Sequence, residues 1–139
     1  MYHTLEPEVA GSIGGRSVRD TSVHPPIISK LHYHFDGWLG DELLERFPCF
    51  IVTENLRQII EKATATGCTF DNVEITKSEQ FLQLFPGVEL PVFYWLQITG
   101  TAGIDDIGFA DDYRIVVSDR VFQKMKSGAQ LTHCDVETT

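Results

Sequence analysis

Three side chains that could bind a metal ion stand two residues apart in one segment of the sequence. His32, His34 and Asp36 alternate with Tyr33 and Phe35. In a β-strand alternate side chains point the same way, so two imidazoles and a carboxylate would share one side. Such a set could bind a transition metal. Histidines on the polar face of an amphipathic strand are also common without a metal, so metal binding here is the alternative hypothesis.

A second group that could bind a ligand is the acidic segment at residues 100–112, which is rich in glycine and aspartate. Asp105, Asp106, Asp111 and Asp112 supply carboxylate oxygens, the ligands that Ca²⁺ and Mg²⁺ prefer. Their spacing does not fit an EF-hand loop, in which ligands alternate and a glutamate closes the loop. The segment therefore predicts a solvated loop or hairpin, and its charge also suits contact with a basic partner.

Sequence signatures of common enzymes are missing from the chain. It contains no G-x-S-x-G motif, no phosphate-binding loop, no H-E-x-x-H and no C-x-x-C. The glycine-rich residues 11–15 lack the spacing of a dinucleotide site. Cys49, Cys68 and Cys134 are odd in number, which favours free thiols in a reducing compartment. We therefore expect no catalytic residues and no cofactor.

The charge of the chain narrows the range of its partners. Its 139 residues include 20 acidic and 11 basic side chains, for a formal net charge of −9, and residues 36–119 carry most of the excess acid. Nucleic acid is an unlikely partner because it binds through Lys and Arg, whereas a basic protein would be attracted. No apolar stretch approaches the ~20 residues of a membrane span. The first residues lack a signal-peptide pattern, so we expect a cytoplasmic protein.

The predicted fold is a single α+β domain over residues 1–139. Residues 1–26 are expected to form an extended strand and a flexible arm, and residues 27–139 an α+β core. The core should contain a mixed or mostly antiparallel sheet with three short helices packed against it.

Local patterns place the individual elements. Alternation of apolar and polar side chains predicts a strand within residues 27–35, and a last strand is expected at residues 131–136. Acids ahead of two leucines predict a short helical turn at residues 41–46. The three helices should begin at the capping residues Thr53, Ser78 and Ser118.

Five segments of the chain together resemble a group of short bacterial proteins of largely unassigned function. They are residues 22–26, 35–44, 47–53, 90–96 and 116–119. The units in which a strand leads into a capped helix, especially residues 115–122, are also similar to immunity proteins of bacterial polymorphic toxin systems. This similarity implies an α+β domain in the cytoplasm that binds and neutralises one toxin.

We therefore predict a non-catalytic binding protein whose partner is a cognate toxin or another basic protein. Such an inhibitor needs a complementary surface, and an acidic surface speeds its encounter with a basic partner. The predicted contacts are exposed acids and one aromatic residue: Asp41, Glu42, Glu45, Asp105, Asp106, Asp111, Asp112 and Trp38. Trp38 stands among glycines, where it either fills the edge of the core or serves as an interface anchor.

Two other functions stay open at this point. One is a small metal-dependent enzyme or metal-binding protein that uses His32, His34 and Asp36. The other is a regulatory subunit of unknown role, which is consistent with the same composition. The sequence does not predict the oligomeric state.

Overall fold

A computed structural model describes residues 1–138, which form thirteen β-strands and three α-helices. The strands are β1 (Tyr2–Glu6), β2 (Gly11–Ile13), β3 (Val18–Asp20), β4 (Ile27–Lys30), β5 (His32–Phe35), β6 (Leu43–Arg46), β7 (Cys49–Thr53), β8 (Cys68–Asp71), β9 (Glu74–Lys77), β10 (Phe93–Ile98), β11 (Ile107–Phe109), β12 (Ile115–Ser118) and β13 (Asp135–Thr138). The helices are α1 (Glu54–Lys62), α2 (Glu79–Leu84) and α3 (Asp119–Gly128). The predicted α+β class with mostly antiparallel strands and three short helices is confirmed. No described helix has the length and apolar character needed to cross a membrane.

Strand β7 is an inner strand of a four-stranded antiparallel sheet with the order β6-β7-β10-β8. All five of its residues are buried. Because successive side chains of a strand point to opposite faces, Phe50 and Val52 enter one hydrophobic core, whereas Cys49 and Ile51 enter a second. This sheet therefore separates two cores.

The first core is closed by a second antiparallel sheet, with the order β11-β12-β1-β13, and by α1 and α3. Leu5 of β1 and Val117 of β12 are fully buried there beside Leu56 of α1. The two helices approach closely, since a Cβ added at Gly128 would lie 2.8 Å from the Cδ1 atom of Ile59.

The second core lies between the central sheet, a three-stranded sheet with the order β2-β5-β9, and α2. Tyr33, Phe35 and Phe81 are fully buried in it. Strands β5 and β9 pair in parallel, and β2 pairs with β5 in antiparallel fashion. The three cysteines are unpaired, as predicted.

The helix starts agree with the predicted caps, with one difference in chemistry. The hydroxyls of Thr53 and Ser78 each accept an amide hydrogen bond from the first turn, at 3.2 and 3.1 Å. Ser118 stands at the equivalent position of α3, but its hydroxyl donates instead to the Oδ1 atom of Asp106, at 2.8 Å. The shared strand-to-helix pattern therefore does not imply a shared capping bond.

Several element predictions were wrong in detail. Residues 1–26 contain three strands, and β1 is an inner strand of its sheet. The predicted strand over residues 27–35 is divided into β4 and β5, and the last strand begins at Asp135. The predicted helical turn at residues 41–46 is strand β6, because its adjacent leucines enter opposite cores.

A buried tyrosine hydroxyl connects three parts of the second core. The hydroxyl of Tyr33 accepts a hydrogen bond from the amide of Ala10, at 3.0 Å, and donates one to the carbonyl of Glu45, at 3.1 Å. Burial raises the pKa of Tyr33 to about 12, so the hydroxyl keeps its proton at neutral pH. These bonds join β5 to the segment before β2 and to β6.

The substitution Tyr33→Phe should lower the free energy of unfolding by about 1–3 kcal/mol, because it leaves two backbone groups without their partner. Urea unfolding measures this loss. Tyr94→Phe is the matched control, since the Tyr94 hydroxyl forms none of the hydrogen bonds described within residues 1–138 and its ring is only partly buried. Equal losses in the two variants would contradict the assigned role of the Tyr33 hydroxyl.

Candidate partner-binding cleft

An open cleft of about 540 Å³ lies at the edge of the second core, between α2 and the loop that joins β5 to β6. We call it the Trp38 cleft. It is lined by residues 8–11, residues 36–39, Arg46, Gln80, Leu84 and Phe85. Its first two segments are held together by the carbonyl of Ala10, which accepts hydrogen bonds from the amides of Asp36 and Gly37, at 2.8 and 3.3 Å.

Trp38 is half-buried, and it belongs both to the core edge and to the cleft wall. Its indole Nε1–H donates to the carbonyl of Asp41, at 2.8 Å, and its ring contacts that of Phe93 edge-on, with centroids 6.1 Å apart. The side chain is therefore fixed in orientation. Both predicted roles of Trp38, as core edge and as surface aromatic, are compatible with this position.

Exposed apolar side chains surround Trp38. Val9, Leu39 and Leu84 line the cleft, and they are 54%, 56% and 64% exposed. Single exposed apolar side chains are ordinary, but several around one concave site are typical of interaction surfaces. The cleft therefore combines an apolar rim with a fixed aromatic ring.

The cleft also contains a buried acid that the sequence analysis did not single out. The side chain of Glu8 is 10% exposed, and neither of its carboxylate oxygens accepts a hydrogen bond of normal geometry from residues 1–138. Burial raises the pKa of Glu8, and the negative charge of Asp41 raises it further. The Leu39 amide and His133 act in the opposite direction but do not outweigh these effects. No local pattern in the sequence indicates that this glutamate is buried.

Asp41 lies beneath the same region and is fully buried, so the prediction that it is an exposed contact was wrong. Its carboxylate accepts hydrogen bonds from the backbone amide and the ring Nδ1 of His133, at 2.7 and 3.1 Å. The same Nδ1 is 3.8 Å from Glu8 Oε1. Asp41 therefore holds the segment after α3 against the loop that carries Trp38.

Two more of the predicted acidic contacts have internal roles. Glu42 accepts hydrogen bonds from Thr53, Asn55 and the amide of Gln130, at 2.8, 2.9 and 2.6 Å. Glu45 is half-buried, and its pKa is raised by this burial and by the charge of Glu6. The Glu42 carboxylate therefore holds other segments together, whereas the Glu45 carboxylate is only withdrawn in part from the surface.

The acidic loop is divided between structural and exposed carboxylates. Asp105 accepts the amide of Thr101 at 2.8 Å, which closes a turn. Asp106 accepts hydrogen bonds from Thr66, Ser118 and Arg120, and although burial raises its pKa, these bonds outweigh burial and the pKa lies below its ordinary value. The carboxylate of Asp106 therefore joins the loop to α3 and does not face a partner.

Asp111 and Asp112 are exposed, and they belong to a larger acidic face. The guanidinium of Arg114 contacts the carboxylates of Asp112, Glu137 and Glu6, at 2.7, 3.2 and 3.4 Å. Asp135 of β13 lies opposite Glu6 of the neighbouring strand β1. We define the acidic face as these carboxylates: Glu6, Asp111, Asp112, Asp135 and Glu137. It adjoins the cleft through Glu45, whose amide donates to the carbonyl of Glu8 at 2.9 Å.

The predicted site of His32, His34 and Asp36 does not form as a metal site. Among residues 1–138 no group of three or more His, Cys, Asp or Glu side chains is placed to hold a metal ion. Both histidines hydrogen bond to the hydroxyl of Thr76, each at 2.6 Å, and His32 Nδ1 accepts the amide of Arg16 at 3.1 Å. Asp36 lines the Trp38 cleft instead, because the strand ends at Phe35.

His3 forms a second histidine network that the sequence analysis missed. Its Nε2 atom is 2.8 Å from Asp119 Oδ1, and its Nδ1 atom is 3.0 Å from Thr138 Oγ1. The ring is buried and contacts that of Phe122, with centroids 4.3 Å apart. The hydrogen bond from His3 lowers the pKa of Asp119. The network joins β1, β13 and the start of α3, and it was missed because its members are distant in sequence.

No protein family matches the chain, and no curated protein matches it. The resemblance to short bacterial proteins and to immunity proteins therefore stays a prediction, and the functional argument depends on the cleft and the acidic face.

The substitution Glu8→Gln should stabilise the protein at neutral pH. A carboxyl whose pKa is raised in the folded state favours folding at low pH and loses that contribution as pH rises from its ordinary value, near 4.5, through the raised value. The variant lacks this loss, so its advantage in unfolding free energy should increase from pH 4 to pH 7. Urea unfolding at both pH values measures the difference.

Glu79→Gln is the control, since Glu79 is exposed on α2. Asp41 and His133, which face Glu8, are present in both variants, and their interaction with the Glu8 charge is part of the effect that Glu8→Gln removes. An advantage of Glu8→Gln that is the same at both pH values would contradict the effect of burial on Glu8.

Proposed function

We propose that this protein is a non-catalytic binding protein of the immunity type, which neutralises a cognate bacterial toxin that has a basic surface. The observation that carries the proposal is the Trp38 cleft, where three exposed apolar side chains surround a fixed tryptophan beside an acidic face. Interface hot spots are enriched in tryptophan, and they lie at well-packed central positions surrounded by weaker contacts.

The acidic face supports the same function through long-range attraction. Its carboxylates exceed the charge of Arg114, so the face stays negative after its internal ion pairs are formed. A negative face raises the rate of encounter with a basic protein, and salt screens this effect. We infer that the acidic face guides the toxin and that the Trp38 cleft anchors it.

The proposal is tested first in cells. A toxin-domain protein encoded beside the gene for this chain should arrest bacterial growth when expressed alone, and growth should be restored when the two proteins are expressed together. If no such protein is encoded there, or if co-expression does not protect the cells, the immunity function is wrong.

The cleft is tested by a matched pair of substitutions on α2. Leu84→Ala should weaken toxin binding by about tenfold, because it removes apolar contact area from the cleft rim. Leu82→Ala should change affinity little, because Leu82 is similarly exposed, at 57%, but is not among the residues that line the cleft. Isothermal titration calorimetry measures both. Equal effects of the two substitutions would exclude the cleft from the interface.

The acidic face is tested by association kinetics. Asp111→Lys should slow association by about two- to fivefold at low salt and should reduce its salt dependence, with little change in the dissociation rate. Glu89→Lys is the control, because Glu89 is also exposed but is not one of the carboxylates of the acidic face. Unchanged association of Asp111→Lys would remove the acidic face from the encounter.

A further inference from the structure

Glu8 in the Trp38 cleft has an unusual environment for a charged group. Both of its oxygens are buried, and neither has a hydrogen-bond donor of normal geometry among residues 1–138. Burial of a polar group without a partner is unfavourable, and such groups are rare in folded proteins. Asp41 opposes ionisation of Glu8, and the Leu39 amide and His133, which favour it, do not outweigh burial and Asp41 together.

The arrangement of the two Glu8 oxygens determines which ligand would best relieve the free-energy cost of their burial. A carboxylate whose oxygens lack donors of normal geometry matches the planar fork of a guanidinium group, whose two parallel hydrogen bonds would replace the weaker contacts of Glu8 with the Leu39 amide and with His133 Nδ1, at 3.8 Å. An ammonium group is a compact and strongly hydrated charge, so it gains less in a partly dry site. The indole ring of Trp38 lines the same cleft and provides an aromatic surface for a guanidinium or its aliphatic chain.

The charges around the cleft favour a cationic group. Glu8 and Asp36 line the cleft, and Asp41 is buried behind Glu8. Arg46 also lines it, but its guanidinium is in none of the ion pairs within 4.0 Å that the described residues form, so it does not neutralise Glu8. The exposed side chains of Val9, Leu39 and Leu84 would contact the aliphatic part of a ligand.

The loop residue beside Glu8 is Leu39, whose carbonyl accepts one long hydrogen bond from the Gln130 side chain, at 3.4 Å. The Leu39 amide lies near the Glu8 carboxylate, and the Leu39 side chain is 56% exposed. Gly37 and Gly40 flank this part of the loop, and Gly40 has a positive φ of 103°. Because both Glu8 oxygens are buried, binding of a ligand from the cleft requires the Leu39 backbone to move outward.

We propose that the Trp38 cleft is a binding site for an arginine side chain of the partner protein, in which the guanidinium donates a paired hydrogen bond to the two oxygens of Glu8. The site rests on the proposed function, because the arginine belongs to the basic toxin. The guanidinium of that arginine is the group that the cleft selects. The outward side chain of Leu39 and the ring of Trp38 then enclose the aliphatic part of that arginine.

The experiment uses butylguanidinium as the probe and two-dimensional ¹H–¹⁵N NMR at pH 8. The chain contains two tryptophans, so the indole resonance of Trp38 can be assigned by comparison with Trp38→Phe. Butylguanidinium should shift this resonance with a dissociation constant of about 1–10 mM, as expected for a ligand of this size. N-butylurea, the neutral analogue, should produce no saturable shift, and butylammonium should bind about fivefold more weakly.

Variants separate Glu8 from the general charge of the surface. Glu8→Gln should weaken butylguanidinium binding by about tenfold, whereas the control Glu79→Gln should change it less than about twofold. Arg46→Gln should strengthen binding, because it removes a like charge from the cleft. Equal binding by wild type and Glu8→Gln would overturn the proposal, and so would butylammonium binding as tight as that of butylguanidinium.

Other occupants of the cleft give distinct results. If the cleft instead binds a second copy of the chain, sedimentation equilibrium would show a dimer that Leu84→Ala dissociates, and the arginine site would be wrong. Failure of the arginine site alone leaves toxin binding intact but insensitive to Glu8→Gln. Failure of the proposed function leaves the butylguanidinium shift intact but gives no protection in the growth test.

Discussion

The burial of strand β7 on both faces is the constraint on which the rest of the fold depends. Side chains of a strand alternate, so one strand can supply two cores only if each face is covered by other elements. Leu5 and Val117 belong to the cover on one side, and Tyr33 and Phe81 to the cover on the other. The second cover is the smaller one, and the Trp38 cleft lies at its open edge.

The Trp38 cleft lies where the polar groups at the edge of the second core are incompletely satisfied. The Tyr33 hydroxyl fixes the backbone at Ala10, and this places Glu8 under the loop that carries Trp38. Its neighbour Asp41 obtains its donors from His133, and Glu8 obtains none of normal geometry. The cost of this arrangement is tolerated in the free protein, and the proposed arginine ligand would relieve it, which would link the stability of the core edge to binding.

The sequence patterns predicted correctly those parts of the fold that depend on interactions between residues close together in the chain. The caps at Thr53 and Ser78 were predictable because a hydroxyl before an apolar helical pattern satisfies amides in its own first turn. The prediction of a helical turn at residues 41–46 was wrong because two adjacent leucines fit a helix and a doubly buried strand equally well. Only the position of β7 decides between these two elements. Of the candidate site, Trp38 was predictable from its type and its glycine neighbours. The burial of Glu8 and Asp41 was not, since it arises from contacts between distant segments.

The position of β1 has a consequence for the order in which the protein is assembled. β1 lies between β12 and β13, and His3 hydrogen bonds to Asp119, which is 116 residues away in the chain. Ribosomes add about 5–20 residues per second, so the first strand waits roughly 6–27 s for its neighbours. The buried residues of the second core all lie between Ala10 and Trp95. The nascent chain can therefore assemble the second core first, while β1 stays available to chaperones until β12 and β13 have been synthesised.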